Sequence, residues 1–178
     1  YKADDEKRWL IALIADTGIR LAEGAGLLRS DFINKDGILC VSIKPHPWRS
    51  LKTASSERVV PLVGSAKWAA ERILAENTNS QFAFPKYNNG QRTSANSASA
   101  ALNKWLKGKI GEGYTMHSFR HSMRDRLRAV ECPSDVLDQI GGWLTQGVGA
   151  SYGEGHQVRT LFNYLAQTRL LQTVICKA

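Results

Sequence analysis

Thr17-Gly18-Ile19-Arg20-Leu21-Ala22-Glu23 compresses a helix end, a turn and a helix start into seven residues and leaves an arginine at the turn. Upstream, Trp9, Leu10, Ala12, Leu13 and Ile14 follow early acidic residues. That spacing predicts a buried helix over 5–16 with its acids near the positive end of the dipole. Gly18 stops this helix, and a short second one is expected over 21–28. A side chain on such a turn projects into a cleft, although a lone arginine there ordinarily forms a surface ion pair. Glu23, one turn onward, has the reach to orient Arg20 or His117, and equally to make a plain intrahelical salt bridge.

Downstream the period changes. Asp36-Gly37 turns the chain into Ile38-Leu39-Cys40-Val41-Ser42-Ile43, whose β-branched alternation reads as a strand. Pro45-His46-Pro47-Trp48 interrupts it. Leu51-Lys52-Thr53 and Arg58-Val59-Val60-Pro61-Leu62, separated by polar residues, predict the two strands of a hairpin with Lys52 close to its tip. Helical spacing returns at 65–76, with Trp68, Ala69, Ile73 and Leu74, and again at 96–107, 117–130, 135–140 and 158–174. A Gly/Asn-rich loop covers 86–92, and glycines at 141, 142, 147 and 149 punctuate the last third. These elements predict a mainly α domain with one small antiparallel β-sheet (α+β), running over 1–178 as a single domain without repeats.

The 178 residues suffice for one real core. A formal charge of +8 on a chain of ordinary hydrophobicity places the basic excess on a folded surface and suggests a polyanionic partner. Cys40, Cys132 and Cys176 are odd in number and widely spaced, which excludes a disulfide framework or a C-x-x-C zinc site and reads as buried thiols in a reducing cytoplasm. No stretch has the length of a membrane span or the layout of a signal peptide. The chain opens on a helix-like segment without a methionine, so an excised domain lacking an N-terminal region is expected.

In His117-Ser118-Phe119-Arg120-His121, positions i, i+3 and i+4 share one helical face, so an imidazole and a guanidinium converge near a helix start whose dipole favours phosphate. The alternative is a solvated basic face that also carries Arg124, Arg126 and Arg128. Paired with Arg20, however, Arg120 supplies the second planar fork that in-line attack on a phosphodiester calls for.

The run from Thr17 to Glu23 resembles the first box of the tyrosine recombinases of the phage integrase type, and His117–His121 resembles the second. Gly141-Gly142-Trp143 is similar to the family's glycine motif, which ends in His in most members and Trp in a minority. Tyr152 follows Trp143 by nine residues, the family's spacing for its nucleophile. Lys52 resembles the family's β-hairpin lysine. The resemblance spans Ile11 to Tyr152 and implies the tyrosine recombinase catalytic-domain fold, with an N-terminal core-binding region absent from this chain.

It also implies transesterification through a covalent 3′-phosphotyrosine, with no cofactor and no metal. Tyr152 is then the nucleophile, Arg20 and Arg120 clamp the scissile phosphate, Lys52 protonates the departing 5′-oxygen and His117 accepts the tyrosine proton. Trp143 donates a hydrogen bond or packs, since an indole cannot exchange a proton as imidazole does. Glu23 and His121 are supporting residues, His121 best read as a core histidine. His46 and His156 match no motif, and burial explains the rival Tyr164 better than chemistry does.

The implied partner is double-stranded DNA, bound as a homotetramer by a protein that is monomeric in isolation, with accessory DNA-bending proteins, in the nucleoid of a bacterial cytoplasm. The C-terminal segment, with Leu161, Leu165, Leu170, Leu171, Val174 and Ile175, packs either on its own core or on a neighbouring protomer. A prophage or mobile-element integrase is the main reading. A non-catalytic basic DNA-binding module and a DNA-relaxing enzyme of the type IB topoisomerase kind are the alternatives.

Overall fold

The computed structural model describes residues 4–53, 56–143 and 155–168. In chain order it comprises α1 (Glu6–Thr17), α2 (Leu21–Ala25), β1 (Phe32–Lys35), β2 (Ile38–Ile43), β3 (Arg58–Pro61), α3 (Gly64–Ala75), α4 (Ala95–Ile110), α5 (Met116–Ala129), α6 (Ser134–Gly141) and α7 (Val158–Thr168), with 3₁₀ turns at Arg29–Asp31 and Pro85–Tyr87. The expected mainly α architecture with a small antiparallel sheet is what is observed.

Asp5 caps α1 by accepting from Arg8 N–H at 3.0 Å, and Gly18 closes it in the left-handed region at φ 66. Between these caps Trp9, Leu10, Leu13 and Ile14 are buried. Each apolar side chain so buried contributes roughly 2 kcal/mol. The partner of this stripe is α3, whose Ala66, Ala69 and Ala70 let the two helices approach closely around Ile73. Trp68 and Leu74, expected on the buried stripe, are exposed instead. The alanines carry the contact, a signal weaker in the sequence than a tryptophan.

The sheet has the order β1-β2-β3 and is antiparallel throughout. Asp36 and Gly37 both adopt positive φ, 55 and 75, the two-residue type I′ turn that matches strand twist. This turn joins β2 to β1, a strand the sequence reading missed, with Lys35 opposite Ile38. The expected hairpin between Leu51–Thr53 and Arg58–Leu62 is not formed. Instead β3 pairs directly with β2, Ile43 opposite Arg58 and Cys40 opposite Pro61. An Asp-Gly turn demands a strand on both sides, so β1 was recoverable. Cys40 and Cys132 are buried free thiols, and burial pushes each up to about 11.

Over its described length α7 packs within its own chain, against β3, α5, α6 and α1, and sinks Leu161 and Leu165 into the common core. Leu170, Leu171, Val174, Ile175 and Cys176 lie outside the described residues. Among the described residues no helix is long and apolar enough to cross a membrane.

Asp16, near the end of α1, ties three further helices to it. Its Oδ2 accepts from the Ser65 N–H at 2.7 Å and the Ser65 hydroxyl at 2.5 Å at the start of α3. Its Oδ1 accepts from Arg126 Nη1 of α5 at 3.1 Å, and the same nitrogen donates to the Thr168 carbonyl of α7 at 2.8 Å. Removing one member of a buried ion pair strands the other. Asp16→Ala is therefore expected to lower the free energy of unfolding by about 3 kcal/mol in urea titrations, with the far-ultraviolet spectrum of the folded state unchanged.

Candidate active site

The ends of α1 and α6, the starts of α2 and α5, and the segment leading into β3 meet at one place. Gly18 makes this possible. A Cβ there would lie 2.9 Å from Met123 Cγ, so its bare backbone lets α5 close onto the α1–α2 turn. Arg120 Nη1 then donates to the Gly18 carbonyl at 2.7 Å, joining the two arginine segments directly.

Arg20 stands at the threshold of α2 with its side chain a quarter exposed. Its main-chain N–H donates to Glu23 Oε2 at 2.9 Å, and its Nη1 donates to Glu23 Oε1 at 2.6 Å and to Ser56 Oγ at 3.0 Å. Its Nη2 reaches the Gly142 carbonyl at 3.4 Å. Glu23 is buried and faces a second arginine that the sequence reading did not single out. Arg58 Nη2 donates to Glu23 Oε2 at 3.0 Å. Burial pushes the Glu23 carboxyl up, but the Arg58 charge and the bonds from Arg58 and Arg20 outweigh it and hold the group below the usual carboxylate range. Glu23 thus orients Arg20, and its other partner is Arg58.

Ser56 also anchors the loop that carries Lys52. Its N–H donates to the Thr53 carbonyl at 3.0 Å, and its hydroxyl lies 3.0 Å from that of Thr53. Lys52 is exposed one residue away, on an irregular loop and not at a hairpin tip. His117 is exposed on the first turn of α5, where burial of part of its ring comes first, followed by the charges of His121, Arg120, Arg20 and Lys52, in holding its pKa below the usual histidine value. All four of these residues are therefore close enough to act on it. His121 packs edge-on to His117 at 4.6 Å and is exposed, so it is not the core histidine expected. At position i+4 it turns away from the body of the domain.

Trp143 folds back over its own glycine motif. Both the Arg120 and Arg124 guanidiniums lie over its ring, at 4.4 and 5.2 Å. A Cβ on Gly141 would stand 1.9 Å from that ring, and Gly142, at φ 61, would place one 2.7 Å from the Arg58 guanidinium. The Gly141-Gly142-Trp143 spacing is thereby explained by packing. Arg120 is buried, and its Nη2 has no hydrogen-bond partner among the described residues. Burial, then the charges of Arg20 and Arg58, push Arg120 down to about 10, which leaves it a cation at neutral pH.

Arg20, His117 and Arg120 share a cavity of about 340 Å³ with Ile19, Ser99 and Asn103. Asn103 was also missed by the sequence reading. From α4 its Oδ1 accepts the Met116 N–H at 2.8 Å and so holds the first turn of α5. Tyr152 lies outside the described residues. Of its rivals, Tyr87 is buried, Tyr164 packs against the core, and Tyr114 lines a separate open groove along α5 with His121 and Asp125. His46 and His156 pair with Asp31 and Asp135 at 2.8 and 2.9 Å. Among the described residues no three His, Cys, Asp or Glu side chains cluster to hold a metal ion.

Residues 2–152 match the model of the phage integrase family. No curated protein sequence matches the chain. Among solved structures, the crystal structure of XerA recombinase superposes with a TM-score of 0.52 at 16% identity, over 97% of this chain and 55% of that one. The chain thus spans about half the length of that recombinase, and the likeness is one of fold.

The packing at Gly142 generates a test. Gly142→Ala places a methyl group both in the left-handed region and against the Arg58 guanidinium, and an L-residue there costs about 1–2 kcal/mol before any displacement of Arg58. The expected outcome is a loss of at least that size in urea unfolding, whereas alanine at exposed Gly108, where nothing lies within 4 Å of the added carbon, stabilises helix α4.

Proposed function

Because the chain belongs to the phage integrase family, we propose that it cuts and rejoins DNA strands by transesterification through a covalent 3′-phosphotyrosine, as a tyrosine-type site-specific recombinase. The observation that carries this reading is the pair of arginine forks, Arg20 and Arg120, on one cavity beside a histidine. One of them keeps a buried donor without a partner among the described residues. A buried, unpaired guanidinium N–H is costly unless an anion meets it, and phosphodiester oxygens have the geometry to do so.

In this reaction the Tyr152 phenol oxygen attacks the scissile phosphorus while the bond to the 5′-oxygen breaks. His117, biased toward its neutral form, takes the phenol proton, and Lys52 delivers one to the departing 5′-oxygen. Arg20 and Arg120 hold the non-bridging oxygens, whose charge grows at the transition state. Trp143 sets its ring beneath the Arg120 guanidinium, Glu23 supports Arg20, and His121 borders His117. The phosphoester energy is retained in the tyrosyl bond, so religation reverses the same steps without a nucleotide or metal.

Double-stranded DNA is the substrate, on which four copies assemble as a homotetramer from monomers, with accessory DNA-bending proteins, in the bacterial cytoplasm at the nucleoid. Prophage or mobile-element integration is the task that the family membership suits. The described residues form a single catalytic domain in this reading, with a core-binding region preceding it in the full protein.

Tyr152→Phe is expected to abolish covalent capture of a nicked duplex on a denaturing gel while leaving DNA affinity nearly intact, since it removes one nucleophilic oxygen and no charge. Capture that survives, or an adduct that maps to Tyr164, would overturn the assignment. Lys52 is separable from the arginines by its leaving group. A 5′-bridging sulfur departs as a thiolate without needing a proton, so single-turnover cleavage by Lys52→Ala should recover on that substrate and cleavage by Arg120→Ala should not.

A further inference from the structure

We infer that Arg58 is a positioning residue of the active site, acting through Glu23 on Arg20 and through two main-chain carbonyls on the loop that carries Lys52 and on the Gly141-Gly142-Trp143 motif. This inference rests on the strand-transfer reading above. Arg58 cannot touch DNA, because its side chain is 3% exposed. Every side-chain hydrogen bond it makes is nevertheless with a segment that bears a site residue. Nε donates to the Ile140 carbonyl at 2.9 Å, at the end of α6 and three residues before Trp143. Nη1 donates to the Ser56 carbonyl at 2.5 Å, and the Ser56 hydroxyl in turn accepts from Arg20. Nη2 meets Glu23 Oε2, which also accepts the Arg20 main-chain N–H.

The fork geometry is what this task needs. A guanidinium presents five donors in one plane and holds Ile140, Ser56 and Glu23 at once, whereas an ammonium is a point charge on a flexible stem. The charge has a second task. Arg20 and Arg58 both face Glu23, Arg49 from the loop after β2 bonds the Glu23 carbonyl, and Arg120 of α5 lies within electrostatic reach. Without Glu23 this quartet would repel, and without Arg58 the buried carboxylate would lose its strongest opposing charge. In β3, Arg58 sits opposite Ile43, so pairing with β2 holds the backbone from which the guanidinium extends.

The two tasks predict different losses. Arg58→Met removes both fork and charge, and Arg58→Lys keeps the charge but loses the fork. The folded Glu23 carboxyl is depressed by Arg58 against the pull of burial. In wild type it therefore stays ionised below the usual carboxylate value, and its contribution is lost only as pH falls through that depressed value. In Arg58→Met, burial prevails and the loss begins at higher pH.

The experiment uses the 178-residue chain and a nicked duplex that traps the covalent adduct, at saturating DNA, between about pH 5 and 8. Both single variants are expected to lose roughly a hundredfold in single-turnover rate, with DNA affinity held within about threefold because no phosphate contact is removed. Only Arg58→Met should move the acid limb to higher pH. The double variant Glu23→Gln/Arg58→Met, which removes the carboxyl together with the guanidinium it faces, should return the limb to that of Glu23→Gln.

Wild-type rates in either single variant, a loss of DNA binding as large as the loss of rate, or coincident acid limbs for the Met and Lys variants would overturn the role. If Arg58→Met does not fold, the Lys and double variants carry the same rate comparison. If wild type itself makes no adduct, the proposed reaction fails and not the placement of Arg58. That placement then stands or falls on the Glu23 carboxyl ¹³C titration, whose midpoint must lie higher in Arg58→Met than in wild type.

Discussion

One buried carboxylate between two guanidiniums is the constraint on which the site depends. Arg20 begins α2 and Arg58 begins β3, and Glu23 brings them together where their charges alone would drive them apart. Such a triad contributes little net stability, because desolvating three ions offsets most of the attraction between them. Its consequence is geometric. With Glu23 satisfied from both sides, Arg20 has a single bonded arrangement, and its Nη2 is left to reach toward the Gly142 turn.

The site is assembled from element ends, and backbone without side chains makes that possible. Gly18 admits α5, Gly141 admits the Trp143 ring, and Gly142 admits the Arg58 guanidinium. The ring then serves Arg120 and Arg124 as a flat surface, so that two cations sit beside each other without a carboxylate between them. Asn103 completes the frame from α4 by bonding the first turn of α5, which carries His117 and, one turn further on, Arg120.

The charge distribution follows the same division. Arg49, Arg58 and Arg120 are buried, and so are Asp16, Glu23 and Asp31. Cations and carboxylates are therefore balanced in number among these buried residues, so they add nothing to the formal +8 of the chain. The buried arginines Arg58 and Arg120 organise the cavity.

The sequence by itself determined the helices with strong periodicity, the Asp36-Gly37 turn, and the motif residues Arg20, His117, Arg120 and Trp143, because each announces itself through local spacing or residue type. Glu23 was legible as a supporting carboxylate by its place one turn after Arg20. The tertiary structure decided the rest. It alone paired β3 with β2 and not with Leu51–Thr53, turned Trp68 and Leu74 out, exposed His121, and gave Glu23 its second partner. Arg58 read as one polar residue at the head of a strand because two of its three partners are 35 and 82 residues away in the chain. Local propensity records the dihedral preferences of neighbouring residues. Which buried donor meets which distant carbonyl is settled only when the chain closes, since an unpaired polar group in the interior costs more than any local preference gains.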